Sequence, residues 1–267
     1  MITKNAMDLG IEGKWALVLG ASQGIGAAVA HALGEEGCNV IIGARNSDGI
    51  RKLASEIRTE HGVEVIPHTI DLTDAKAVAH LCHKIENDWE IDILLNNTGG
   101  PPPSGSRGVS DDVWSESVQG LLMTVIRLTE AAVKGMVARR WGRILTVASS
   151  GVVQPIPNLA VSNTVRSAAA GFSKSLAGEV AKDGITVNMI LPGRINTGRL
   201  TQINTQNAER QGMTLEAFEE ASLATIPAGR FGTPEEFAKV AVFLMSDHAG
   251  YVTGSMVRVD GGIIKGI

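Results

Sequence analysis

Residues 15–26 run Trp-Ala-Leu-Val-Leu-Gly-Ala-Ser-Gln-Gly-Ile-Gly. A short apolar run stops at Gly20, and a helical pattern begins after Gly24 and Gly26. Strand, tight turn and helix start thus follow one another directly. Glycine at these places permits positive φ and lets a ligand come where a Cβ would block it. The helix behind presents unpaired N–H groups to an anion. The guest that suits this corner is a dinucleotide pyrophosphate. The spacing is G-x-x-x-G-x-G rather than the common G-x-G-x-x-G, so the corner needs support from elsewhere in the chain.

On either side of this stretch helical and strand patterns alternate. Residues 25–36 read as helix and 39–43 as a buried parallel strand, apolar throughout because both its faces are covered. The pattern predicts helices over 47–61, 74–88, 158–183 and 233–246, and one long helix over 114–140. Strands are predicted over 64–69, 91–96, 142–147, 185–190 and 255–259. This alternation predicts one α/β domain over 1–267, built on a doubly wound parallel sheet of about seven strands. With 267 residues, 44% of them hydrophobic, the chain can bury one large core.

Composition excludes several classes of partner. A net charge of −4 gives no basic footprint for nucleic acid. No run is long enough and free enough of charge to span a bilayer, and residues 1–14 lack an apolar stretch with basic flanks. A cytoplasmic protein without a membrane partner is expected. Cys38 and Cys82 stand apart, without metal or redox spacing, and read as small buried hydrophobes. His80, His83 and Glu86 fall on the polar face of the 74–88 helix, away from Val78, Leu81, Cys82 and Ile85, and read as solvated. Neither a metal nor a disulfide is expected.

Further motifs lie at the predicted strand ends. Ala44-Arg45 follows the second strand, Ile70-Asp71-Leu72 the third and Asn96-Asn97-Thr98-Gly99 the fourth. Asn188 precedes Leu191-Pro192-Gly193, and Thr253-Gly254 leads to Asp260-Gly261-Gly262. Together with the glycine turn, and in this order over residues 13–262, these motifs resemble the short-chain dehydrogenase/reductase family, in particular its 3-oxoacyl-carrier-protein-reductase-like members. The resemblance implies a nicotinamide dinucleotide. Its implied binding residues are Gly20, Ser22, Gln23, Gly24, Ile25 and Gly26 in the turn, then Arg45, Asp71, Leu72, Asn97 and Gly99. Arg166, Pro192, Gly193, Ile195 and Thr197 complete the set. An acidic residue near position 45 would suit the ribose of NAD, whereas neutral Ala44 followed by Arg45 suits a 2′-phosphate, so NADP is expected and NAD stays open. The loop carrying Pro101, Pro102 and Pro103 is expected to rim the nicotinamide. The polar segment 196–226 resembles the family's substrate lid. A homo-oligomer, tetramer or dimer, is implied by the two long helices that pair across subunits in this family.

The family moves a hydride between nicotinamide and a carbonyl or alcohol while a tyrosine exchanges the proton. A lysine four residues later, a serine and an asparagine assist. Counting back from the segment 171–177, Gly-Phe-Ser-Lys-Ser-Leu-Ala, puts Arg166 at the lysine position and Ser162 at the tyrosine position. Leu121 falls at the asparagine position, and only Ser149 matches, with Ser150 as a register alternative. The one tyrosine, Tyr251, sits before the closing strand. Ser149, Ser162 and Arg166 are therefore the candidate catalytic residues. A guanidinium stays charged and offers a planar fork of donors, but a serine hydroxyl is a poor proton source near neutral pH. Losing a general acid costs about 10²- to 10⁴-fold, while positioning the reactants is worth roughly 7–11 kcal/mol. Two readings follow: an NAD(P)-dependent oxidoreductase of a small-molecule carbonyl or alcohol with a non-standard proton path, or an inactive nucleotide-binding sensor or scaffold subunit.

Overall fold

The apolar run at the head of the chain forms β1 (Trp15–Leu19) in the computed structural model, which describes residues 7–266. It is joined by β2 (Asn39–Ala44), β3 (Val65–Thr69), β4 (Ile93–Asn96), β5 (Gly142–Val147), β6 (Ile185–Pro192) and β7 (Met256–Val259). All pair in parallel, in the order β3-β2-β1-β4-β5-β6-β7. The helices are α1 (Gly24–Glu35), α2 (Ser47–His61), α3 (Ala75–Asn87), α4 (Asp111–Val118), α5 (Thr124–Arg139), α6 (Ala160–Val180), α7 (Gly198–Gln211), α8 (Leu215–Leu223) and α9 (Pro234–Leu244). This is the doubly wound α/β fold that the alternation predicts.

The side-chain period of two explains the continuous apolar strands. Ala16 and Val18 of β1 face a core shared with Val29, Leu33, Ile57 and Phe237, while Leu17 and Leu19 face a second core with Val78, Leu81, Leu128 and Met136. Strand order reverses between β1 and β4, so their carboxyl ends open a crevice in which ligands of such sheets sit.

Three departures from the sequence pattern stand out. The helix expected over 114–140 begins at Asp111 and passes through one π turn, Gln119–Met123, between α4 and α5. The wide turn lies where the helix meets the loop after β3. A Cβ on Gly120 would stand 3.3 Å from Thr73 Cγ2, and Thr124 Oγ1 is 2.8 Å from the carbonyl oxygen of Leu72. Residues 196–226, expected as an irregular polar lid, form the helix pair α7–α8. Thr197 and Thr214 cap the two helices, and buried Asn204 joins them by donating to Glu219 Oε1 at 3.1 Å. Polar packing hid the pair from hydrophobic periodicity. Finally, Cys38 is buried as expected and donates to the carbonyl of Ile11, with burial pushing its thiol up to about 12. Cys82, by contrast, is only half-buried. No described helix is long and apolar enough to cross a membrane.

Candidate active site

The glycine turn is built by exclusion of side chains. Gly20 and Gly24 both take φ of +60°. A Cβ on Gly20 would lie 2.5 Å from the carbonyl oxygen of Asn97, and one on Gly26 would lie 2.4 Å from that of Gly20. Asn97 at the exit of β4 donates through Nδ2 to the Gly20 carbonyl at 3.2 Å, clasping the turn. Gln23 occupies the N-cap of α1 without a side-chain cap, so the first N–H groups, from Gly24 and Ile25 onward, keep their capacity for an anion.

At the exit of β2, Arg45 is exposed and makes no ion pair among the described residues. Ser22 stands beside the start of α2, where a Cβ on Gly49 would touch it at 3.4 Å. Asp71 Oδ1 accepts from the amide of Thr73 at 2.9 Å and its hydroxyl at 2.8 Å. These two bonds, with a smaller contribution from the charge of Arg45, hold the Asp71 carboxyl below its usual range. Leu72 follows, half-buried. On the opposite rim β6 ends at Pro192, and Gly193 passes β7 so closely that a Cβ would lie 2.5 Å from Asp260 Cα. Ile195 is buried and bridges to Gly232, and Thr197 Cγ2 stands 3.4 Å from where a Gly24 Cβ would be. Of the sixteen residues the resemblance implies for the dinucleotide, those from Gly20 to Gly26 follow β1, Arg45 follows β2, Asp71 and Leu72 follow β3, Asn97 and Gly99 follow β4, Arg166 stands on α6, and Pro192 ends β6 with Gly193, Ile195 and Thr197 beyond it.

Behind the crevice, β4, β5 and α6 converge on one guanidinium. Arg166 donates from Nη1 to the Val147 carbonyl at 3.0 Å, from Nη2 to the Gly99 carbonyl at 3.1 Å and from Nε to Ser162 Oγ at 3.3 Å. The residue keeps some solvent exposure, yet crowding of protein around the guanidinium, with the second charge of Arg199 added, pushes its pKa down to about 10. No described carboxylate pairs with it, so the pocket carries uncompensated positive charge. Ser149, just past β5, accepts from the Gly151 amide at 3.0 Å, and this cap distinguishes it from Ser150, which opens the short helical turn. Both Ser149 and Ser162 have an oxygen lone pair engaged by an N–H donor, which leaves each hydroxyl proton available.

Leu121 does not join this polar group. It is buried in the π turn against Val161 and Val165, an apolar plug on the neighbouring face of α6. Tyr251 is fully exposed and precedes β7, at the amino-terminal edge of the sheet, away from the crevice. Asn188 also stays out of the crevice, tying β6 to the segment that enters β7 by donating to the Val252 carbonyl and accepting from the Ser255 amide. Two contributors escaped the sequence reading. Arg199, at the start of α7, approaches the same Gly100 as Arg166: from a Cβ there, their Nη2 atoms would be 3.8 and 4.0 Å away. Asn163 pins the loop before α6 by donating to the Ile156 carbonyl at 3.0 Å. Neither position bears a signal without the helix boundaries.

Comparison with known proteins fits this geometry. A family model described as enoyl-(acyl carrier protein) reductase matches residues 20–264. The 3-oxoacyl-[acyl-carrier-protein] reductases of Vibrio harveyi and Pseudomonas aeruginosa are 36% and 37% identical over 258 residues, covering 96% of this chain and 99% of each relative. The chain belongs to the short-chain dehydrogenase/reductase family. Among solved members, the L-sorbose reductase of Gluconobacter frateurii, in complex with NADPH and L-sorbose, superposes with a TM-score of 0.92 at 33% identity, covering 98% of this chain and 100% of that one. This chain is an NAD(P)-dependent oxidoreductase that acts on carbonyl substrates.

Proposed function

We propose that this short-chain dehydrogenase/reductase reduces a small-molecule carbonyl with NADPH, using Arg166 with Ser149 and Ser162 in place of a tyrosine–lysine pair. The observation behind this proposal is the half-buried guanidinium of Arg166, which spans the exits of β4 and β5 and bonds Ser162. The cofactor fits the residues present: the glycine turn is a cradle that any Cβ would fill, and the uncapped start of α1 suits a pyrophosphate. Arg45, exposed and without an ion pair among the described residues, suits a 2′-phosphate. When bound, the nicotinamide supplies the hydride.

The chain's own part is to receive negative charge on the substrate oxygen. Ser149 and Ser162 donate their free hydroxyl protons as hydrogen bonds to that oxygen. Arg166 stabilises the developing alkoxide by its charge, through Ser162 and across the pocket. The proton that ends on the product comes from water, because no side chain gathered here titrates near neutral pH. The helix pair α7–α8 serves as the substrate lid and brings Arg199 to the entrance. A homotetramer or dimer through α5 and α6 accords with the open groove lined by Cys82, Arg127, Glu130 and Leu176, and a cytoplasmic location accords with the absence of a membrane-spanning helix among the described residues.

The test is oxidation of NADPH and NADH in the presence of a carbonyl panel, followed at the nicotinamide absorbance, in the native protein and in Arg45→Ala. The reading expects turnover, and a rise in KM for NADPH of about 10- to 100-fold in the variant, the worth of a hydrogen bond to a charged group, with little change for NADH. Tight NADPH binding without turnover would turn the reading into that of a nucleotide sensor.

A further inference from the structure

One cluster of side chains lies outside the crevice. His31 on α1 and Glu60 and His61 at the end of α2 bring three ligand-type atoms within 4.8 Å of one another. His31 Nε2 is 2.7 Å from Glu60 Oε2, and His61 Nε2 is 3.3 Å from His31 Nδ1. Their separation in sequence conceals the group, since His31 and Glu60 stand 29 positions apart and no spacing rule connects them. Gly34 makes the approach of the two helices possible: a Cβ there would stand 2.6 Å from Ile57 Cγ2 and 3.3 Å from His61 Cδ2.

We propose that His31 and His61 bind a divalent transition cation of the zinc, nickel or copper type, with Glu60 as the residue that positions His31 and water completing the coordination. Two nitrogen ligands on one tetrahedral ion, each about 2.0–2.1 Å from it, stand about 3.3 Å apart. The two imidazole nitrogens already have that separation. Their rings meet at 88° with centroids 4.6 Å apart, an angled approach rather than a head-on one. Glu60 engages the far nitrogen of His31, which fixes the ring with its proton on Nε2 and a lone pair on Nδ1, the carboxylate–histidine–metal arrangement of many metal sites. His61 is the last residue of α2, where the helix dipole favours positive charge. Imidazole donors select the borderline transition ions over magnesium or calcium, which want an oxygen set. Glu60 and His31 are partly open to solvent, so an ion has a way in.

The ion would clip α1 to α2 near the amino-terminal edge of the sheet, with no part in carbonyl reduction, so this inference stands independently of the proposed function. Tag-free full-length protein, stripped with chelator, is titrated with zinc chloride by calorimetry and melted with and without zinc. The expected result is one zinc per chain and a higher Tm with the metal. His31→Ala and His61→Ala each abolish stoichiometric binding and the Tm response, Glu60→Gln weakens binding about 10- to 100-fold, and NADPH oxidation is unchanged in all three. Should His61→Ala fail to fold, the more exposed His31→Ala decides the matter alone. Absence of stoichiometric binding would overturn the proposal. So would binding that survives His31→Ala and disappears in His80→Ala/His83→Ala, which would place the ion on the solvated face of α3.

Discussion

Arg166→Ala lowers kcat for NADPH-dependent carbonyl reduction by about 10²- to 10³-fold, the size of loss that follows when preorganised stabilisation of a developing oxyanion is removed, and changes NADPH affinity far less. Arg166 spends one N–H on each of the Val147 carbonyl, the Gly99 carbonyl and Ser162 Oγ, and its charge has no carboxylate partner among the described residues. Its removal takes away both the local positive potential and the group that orients Ser162. Arg166→Lys keeps the charge but cannot reach three diverging acceptors with one ammonium, so it recovers only part of the loss. Steady-state kinetics with separate kcat and KM values check this. A loss confined to KM for NADPH would instead make Arg166 a cofactor ligand only.

Gly26→Ala weakens NADPH binding by about 10²-fold or more, because the cradle itself must move. The new Cβ would lie 2.4 Å from the Gly20 carbonyl oxygen, 2.8 Å from Asn97 Nδ2 and 2.9 Å from Ala21 Cα, all parts of the turn or its clasp. Two of the three are backbone atoms and the third, Asn97 Nδ2, is held by its hydrogen bond to the Gly20 carbonyl, so relief displaces the turn by an appreciable fraction of an ångström, and misplacement of about 1 Å costs 10²-fold in well-positioned sites. The expected overpacking cost of about 1–3 kcal/mol is small beside the 5–15 kcal/mol of a typical domain, so the variant remains folded. Calorimetric titration with NADPH, alongside a thermal melt of the same sample, reads both quantities. Unimpaired binding would show that the turn does not carry the pyrophosphate.

Much of this molecule was legible in its sequence because its sheet is buried on both faces. Runs such as Ala16–Leu19 and Ile41–Ile42 are apolar without interruption, and the punctuation at Gly20, Asn97 and Pro192 marks the strand ends that line the crevice. Likewise, helical spacing from Arg166 to Ser162 put those two side chains one turn apart, as their hydrogen bond requires. What stayed hidden depends on polar or long-range packing. The π turn adds one residue to a helix whose periodicity looks continuous, and it sends Leu121 into an apolar plug instead of the pocket. Buried Asn204 holds a helix pair that no hydrophobic stripe announces, and with it goes the placement of Arg199. His31, Glu60 and His61 meet only because Gly34 lets α1 and α2 touch.

In the proposed reaction, carbonyl reduction relies on the fixed charge of Arg166 and not on a side chain that exchanges a proton near neutrality. The decisive measurement is the pH dependence of kcat for the native protein with NADPH and its best carbonyl substrate. Burial lowers the pKa of Arg166 to about 10 from an ordinary value of 12.5, so its charge is fully present at neutral pH and is lost only as pH rises through that folded value. The expected profile is flat through the neutral range and declines around pH 10. A decline with an apparent pKa between about 6 and 8, the range in which a histidine-like acid or base titrates, or no NADPH oxidation at any pH, would contradict it.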